Sequence, residues 1–287
     1  MKFAVIGGDM RHAKLAELLA EDGHTVSVFG LDKLQFPNIC EADSAGKAAE
    51  GAECIILPLP VTTGERRLNA PLSESAHMVE QVFDALNSEQ VVCAGYVDDW
   101  TDCELRSRGI SVIDYFTREE LAVSIAIATA EGAIQLIMEE TPITICGSNC
   151  LVIGYGRIGK ILSHRLRSLG ANVTVSARKC SDSAWIKAFG YRIADTKYLA
   201  GSLSGFDIIV NTVPACVLNE SCLRDLKVGC LCLDLASKPG GLDFKAASRL
   251  GVKAVWALGL PGEVAPVSAG AAMRDTIYNI LQEQGKL

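Results

Sequence analysis

Three glycines spaced as Gly154-x-Gly156-x-x-Gly159 are the residues whose pattern most directly implies chemistry. That spacing suits a diphosphate. The first glycine permits a tight turn, the second lets backbone amides approach the anion, and the third lets the following helix pack closely on its strand. Glycine strings are common, so the flanks decide. Cys150-Leu-Val-Ile153 is an apolar run of the kind a buried parallel strand shows, and Ile158, Ile161, Leu162, Leu166 and Leu169 recur at helical spacing. A strand, a glycine turn and a helix in that order make a dinucleotide motif rather than a plain turn. The expected contacts are Gly154, Tyr155, Gly156, Arg157, Ile158 and Gly159, joined by Asn211, Thr212, Val213 and Pro214 at the end of a later apolar run.

The next strand, Asn172–Ser176, ends where such a fold places the group that meets the adenosine ribose. An Asp or Glu there would accept hydrogen bonds from the 2′-hydroxyl of NAD. The sequence instead offers Ser176, Arg178 and Lys179, a hydroxyl and two cations suited to a 2′-phosphate. NADP (NADPH) is therefore expected over NAD, against the plainer reading of a solvated basic turn.

A second cluster lies at the start of the chain. Gly7-Gly-Asp9-Met-Arg11 follows a short apolar run and opens a helical pattern, but it lacks the third glycine, so a second dinucleotide is not expected. The helix N-terminus can still hold an anion, with Arg11 to pair with a substrate carboxylate and Asp9 to handle a proton. Asp9 as a helix cap and Arg11 as a surface charge is the bland alternative. His12 is expected on the surface. After the apolar run Cys54–Leu57 comes a proline-stiffened, hydroxyl-rich segment containing Thr62 and Thr63, with Asn69 further on. Carboxyl ends of parallel strands are where ligands gather, so these three are candidate substrate contacts. Glu131 sits in a small, apolar helical stretch, where a carboxylate is costly unless partnered; it is either a proton handler or a residue facing water. Lys238, after the run Leu231–Asp234, is a candidate carboxylate clamp or acid/base group against a plain loop lysine.

Composition bounds the functions. The 287 residues are 49% hydrophobic with 21% charged residues, which suits two medium globular domains. A net charge of −7 argues against nucleic acid or an anionic membrane surface as partner. No uninterrupted apolar stretch reaches spanning length and no signal-peptide layout opens the chain, so a cytoplasmic location is expected. Most of the eleven cysteines fall inside apolar runs and read as core thiols, and no metal site is expected.

The elements follow from the same periodicities. β/α alternation over the first 115 residues predicts a five-strand unit with helices over Ser75–Leu86 and Asp98–Arg108. One long helix is predicted over Thr117–Glu140, then a second β/α unit, an irregular loop over Gly259–Pro266 and a last helix over Ser268–Glu283. The fold class is α/β with two doubly wound, Rossmann-like parallel sheets joined by crossing helices. The expected domains are 1–120 with 268–287 for substrate and 121–267 for NADP.

This layout resembles the D-2-hydroxyacid and alanine dehydrogenase architecture. Four segments narrow it: Gly7-Gly-Asp-Met-Arg11, Leu57-Pro-Leu-Pro60, Thr129-Ala-Glu-Gly132 with Glu139-Glu-Thr-Pro142, and Gly259-Leu-Pro-Gly-Glu-Val-Ala-Pro266. Together they resemble the dipicolinate synthase A-subunit family over essentially the whole chain. The resemblance implies an oxidoreductase of the dipicolinate pathway of sporulation, a branch of lysine biosynthesis. Its substrate would be 4-hydroxy-tetrahydrodipicolinate or dihydrodipicolinate, a cyclic dicarboxylate, and its partner the flavoprotein-like B-subunit of dipicolinate synthase. A homo-oligomer is expected as well. No histidine follows His164, so the acid/base histidine that hydroxyacid dehydrogenases carry late in the nucleotide unit is missing. Two other functions fit the same residues: an amino- or keto-acid reductase of the alanine dehydrogenase type, and a non-catalytic nucleotide-binding subunit that regulates a partner.

Overall fold

A computed structural model describes all 287 residues, which divide into two compact units: 1–125 with 261–287, and 126–260. In the first unit, strands β1 (Lys2–Ile6), β2 (Thr25–Phe29), β3 (Cys40–Glu41) and β4 (Cys54–Ile56) precede a small antiparallel hairpin, β5 (Thr62–Thr63) with β6 (Arg67–Leu68); β7 (Val91–Ala94) and β8 (Val112–Asp114) follow. The sheet is parallel throughout, in the order β3-β2-β1-β4-β7-β8. It therefore has six strands where five were expected. β3 is two exposed residues with no apolar run to announce it.

Strands buried on both faces read as continuous apolar runs, and β1 shows why. Phe3 and Val5 point to one face, where α1 (Met10–Glu21) and the last helix supply Leu15, Leu19, Met273 and Ile277. Ala4 and Ile6 point to the other, covered by α2 (Ala45–Ala49), α3 (Val79–Phe83) and α4 (Asp99–Ser107) through Ala48, Val82, Phe83 and Leu105. α3 is far shorter than the helix predicted over Ser75–Leu86, because residues 69–77 are turn and loop and Met78 pairs with Arg67 in an isolated bridge.

The chain leaves the first unit inside α5 (Glu119–Glu140), a helix of 22 residues. Its best window has a mean hydropathy of 1.8, long and apolar enough to cross a membrane by length and composition, where the sequence suggested no such stretch; half of that window is buried in this fold. The Glu131 that interrupts it hid the length of the stretch.

The second unit repeats the plan. β9 (Asn149–Ile153), β10 (Asn172–Ala177), β11 (Arg192–Asp195), β12 (Ile208–Asn211), β13 (Leu231–Asp234) and β14 (Lys253–Trp256) form a parallel sheet in the order β11-β10-β9-β12-β13-β14. α6 (Arg157–Ser168) and α7 (Cys180–Ala188) follow β9 and β10; α8 (Glu220–Arg224) and α9 (Phe244–Leu250) pack on Leu151, Ile153 and Ile209 from the other face. Each sheet runs third-second-first-fourth-fifth-sixth in its own strand order, the doubly wound arrangement whose ligands lie outside the strand carboxyl ends.

The segment expected to be an irregular loop contains α10 (Leu260–Val264), and the last helix, α11, begins at Pro266 and runs to Glu283. α11 packs on α1. Gly270 is the reason they approach so closely: a Cβ there would lie 2.9 Å from the Leu15 amide nitrogen and 3.0 Å from the Arg11 carbonyl oxygen.

Candidate functional site

In the second unit the glycine turn stands between β9 and α6. Gly154 adopts φ +99°, open to glycine but strained for other residues, and its amide donates to the Ser176 carbonyl at 2.9 Å. A Cβ on Gly159 would fall 2.1 Å from the Gly154 carbonyl oxygen, so glycine is what lets α6 meet the turn. Around Gly156 a Cβ would meet nothing within 4 Å. Gly156 is also the N-cap of α6, and no side chain caps that end. The first amides of a helix need acceptors. An uncapped helix end over open space fits the diphosphate of a nicotinamide dinucleotide. Tyr155 is buried, and Thr212 Oγ1 donates to the Ile153 carbonyl at 2.9 Å, its oxygen packed against Gly154.

At the far end of β10, Arg178 and Lys179 are exposed in the turn leading to α7, available to a phosphate. Ser176 is not. Its side chain is buried and its hydroxyl is hydrogen-bonded to Thr196 Oγ1 at 2.5 Å, so its expected place among the phosphate contacts is not supported. A hydroxyl inside a parallel strand finds a neighbour in the sheet before it finds solvent.

Asp234 carries a role that the sequence reading missed. This carboxylate, with no solvent exposure, accepts from Asn211 Nδ2 at 2.8 Å, from the Ala236 amide at 3.1 Å and from the Gly241 amide at 2.7 Å. A buried charge must be met in this way. The result ties the carboxyl ends of β12 and β13 together and shapes the 235–241 loop, with Lys238 exposed on it. Asn211 is thus a structural partner as well: its Oδ1 also accepts from the Val213 amide at 3.1 Å, which orients the Asn211–Pro214 turn. An Asp closing the apolar run Leu231-Cys-Leu was the available signal.

In the first unit, Asp9 caps α1. Its Oδ1 accepts from the Arg11 amide at 3.0 Å, and the Arg11 guanidinium folds back on the same carboxylate, Nε to Oδ1 at 3.0 Å and Nη2 to Oδ2 at 2.7 Å. Burial raises the Asp9 pKa, but its contacts with His12 and Arg11 more than offset this and hold it well below the usual carboxylate range. The group stays ionised, which makes it a poor proton acceptor. Here the expected anion site on α1 is occupied by the protein's own carboxylate, and the charge of Arg11 is largely spent on it. Arg11 Nη2 also donates to the Leu59 carbonyl at 3.2 Å.

His12, expected on the surface, has no solvent exposure. Its ring lies against the Cα of Gly8, where φ is +99° and a Cβ would sit 2.2 Å from the ring. Tyr115 donates its hydroxyl hydrogen to the Leu57 carbonyl at 2.9 Å, and His12 Nε2 lies 3.1 Å from the tyrosine oxygen, while Nδ1 lies 3.4 Å from the Asp9 amide nitrogen and 3.5 Å from Asp9 Oδ1. Desolvation keeps the imidazole pKa below its ordinary value, against the pull of Asp9. The helical spacing from Arg11 to Leu15 hid this, because a histidine beside a charged residue reads as solvated.

These contacts gather several predicted residues around the Gly7–Arg11 turn. Gly8 donates its amide to the Asn69 carbonyl at 2.7 Å, Asn69 Nδ2 donates to the Pro60 carbonyl at 2.9 Å, and Gly262 would place a Cβ 3.3 Å from Asp9 Oδ2. Three of the four singled-out segments therefore meet here. Thr62 is half-buried and Thr63 exposed on the hairpin; Thr63 and Asn69 line a cavity of about 360 Å³. In the second unit, the Glu131 carboxylate is half-exposed and ion-paired with Arg165 of α6, so it has a partner other than a reacting proton.

Both parts of the chain match known families. Residues 2–116 match the family described as the N-terminal domain of the dipicolinate synthase A-subunit, and residues 142–246 match a family described as NAD(P)-binding. The chain is 33% identical over 286 residues to the dipicolinate synthase A-subunit of Bacillus subtilis (strain 168), covering 99% of this chain and 96% of the relative. The crystal structure of that enzyme's A-subunit from Bacillus subtilis superposes with a TM-score of 0.87, covering 100% and 98% of the two chains at 33% identity. That of the A-subunit from Bacillus halodurans gives 0.86 at 29% identity, over 98% and 97%. The transhydrogenase of Sinorhizobium meliloti, 17% identical with a TM-score of 0.70 over 99% and 94%, shares the fold.

Proposed function

This chain belongs to the dipicolinate synthase A-subunit family, and from that premise we propose that it is the NADP-dependent subunit that forms dipicolinate from 4-hydroxy-tetrahydrodipicolinate or dihydrodipicolinate, working with a flavoprotein-like B-subunit. The observation that carries the reading is the open, uncapped N-terminus of α6 above Gly156, in a chain that matches the Bacillus subtilis relative over its whole length.

The 4-hydroxy compound loses water to give the dihydropyridine. Loss of a hydride and a proton from that ring leaves the aromatic pyridine, whose stability draws the reaction forward. The nicotinamide, when bound, supplies the hydride acceptor. The protein's part is to hold and orient. Gly154, Gly156, Gly159 and the first amides of α6 hold the diphosphate, Arg178 and Lys179 hold the 2′-phosphate, and the Asn211–Pro214 turn, set by Asp234, lines the strand ends. For the substrate, Arg11, Asn69, Thr62 and Thr63 are the candidate contacts in the first unit. In the second unit, Lys238 is an exposed cation on the 235–241 loop, suited to a carboxylate or to acid/base work. Asp9 serves by fixing Arg11 rather than by moving a proton.

The test is direct. Purified chain, with and without the B-subunit, is given 4-hydroxy-tetrahydrodipicolinate and NADP⁺ while dipicolinate and NADPH are followed by absorbance. Formation of both in step supports the reading. A chain that binds no nicotinamide nucleotide, or one that instead consumes NADPH with 2-oxo acids and ammonia, overturns it.

A further inference from the structure

Of the nine residues of α7, Ile186 alone is buried. On its outer side Trp185 and Phe189, one helical turn apart, stack with centroids 5.7 Å apart and planes at 20°, and each is 57% exposed. Arg167, near the end of α6, donates to the Phe189 carbonyl and lies 5.3 Å over the ring of Tyr191. Ile193, 38% exposed, follows on β11, the outermost strand of its sheet.

These rings stand away from the cofactor. α7 starts just past the carboxyl end of β10 and runs back to the amino end of β11, as a crossover between parallel strands must, so Phe189, at the end of that run, lies toward the edge of the sheet opposite the glycine turn. The surrounding charge is distinctive as well. From the end of α6 to the turn after β11, residues 167–198 contain six Lys or Arg, two Asp and no Glu, in a chain whose net charge is −7. Two of these cations, Arg178 and Lys179, fall to the 2′-phosphate. Arg167, Lys187, Arg192 and Lys197 have no such use.

We propose that the α7–β11 face is the docking surface for the second polypeptide of the synthase, and that this partner meets it with an apolar patch ringed by carboxylates. The inference rests on the reading of the chain as one half of a two-component enzyme. Trp, Tyr and Arg are the side chains that most often dominate protein interfaces, and exposed aromatic area of this kind marks a contact. A two-fold contact with another copy would set cations against cations, which disfavours self-association through this face. An acidic partner gains from the same charges.

The experiment titrates the purified B-subunit into the full chain by calorimetry, at low and raised salt. Two double variants are compared with the parent: Trp185→Ser with Phe189→Ser, and Lys187→Glu with Arg192→Glu. All four side chains are exposed, so melting temperature and NADP(H) affinity should hold. The aromatic variant is expected to raise Kd about tenfold or more, and the charge reversal to weaken binding most at low salt. Unchanged affinity in both variants overturns the proposal. So does loss of a homo-oligomer in the aromatic variant by ultracentrifugation, which would make the occupant a second copy, or capture of duplex DNA by this face at physiological salt. Failure of the B-subunit to bind the parent chain also overturns it, while turnover of the substrate by the chain alone would leave the oxidoreductase reading standing.

Discussion

Arg178 and His12 show how differently two polar residues can be read from sequence. Arg178 was singled out because a missing acid and an extra cation at the end of a second strand suit a 2′-phosphate, and its side chain is exposed there. Removing it should cost a charge-assisted bond: Arg178→Ala is expected to weaken NADP(H) binding about ten- to a hundredfold while NAD(H) affinity changes little, by calorimetry. Equal affinity of the parent chain for both nucleotides would end the assignment. His12 was illegible, because its burial depends on Tyr115, far away in sequence. Burial keeps its pKa below the ordinary 6.5, so as pH falls the unfolded chain takes up this proton first. Its stabilising contribution is therefore present above about pH 6.5 and declines below it, and His12→Gln should flatten the loss of melting temperature on mild acidification. Asp9 works in the same direction at lower pH: its contribution persists through that range and is lost only as pH falls below its ordinary 3.8. A mutant that loses melting temperature with the same slope as the parent would show that His12 is not the group responsible.

Among the elements, those whose cause is local were readable and those set by distant packing were not. The strand, turn and helix around Gly154 announced themselves because each glycine has a separate steric task. Those tasks separate two substitutions of equal size. Gly156→Ala meets open space and φ is an ordinary −78°, so the unit should fold with unchanged melting while nucleotide affinity drops as the methyl group blocks the anion. Gly159→Ala meets the Gly154 carbonyl at 2.1 Å, so it should lower the melting temperature even without nucleotide. Thermal scans with and without NADPH check both, and equal behaviour of the two variants would contradict the geometry. By contrast, α3 fell short of its predicted length and α10 appeared inside an expected loop, because a five-residue helix carries too little periodicity to stand out.

At the scale of the molecule, two doubly wound sheets were legible from the β/α alternation, while the exact sharing of the chain between the units was left to packing. Deletion from Ser268 onward removes Ala269, Met273, Ile277, Ile280 and Leu281, each at most 2% exposed. It should lower the melting temperature of the first unit markedly, and a truncated chain that melts like the parent would show that α11 contributes nothing there. The two sheets share one strand order, yet the turn after β1 carries its own carboxylate and the turn after β9 carries none. A nucleotide approaching the first turn has to unseat an ion pair made within the same helix end, at an effective concentration no dissolved ligand reaches. Saturation should accordingly stop at one nucleotide per chain, however concentrated the solution.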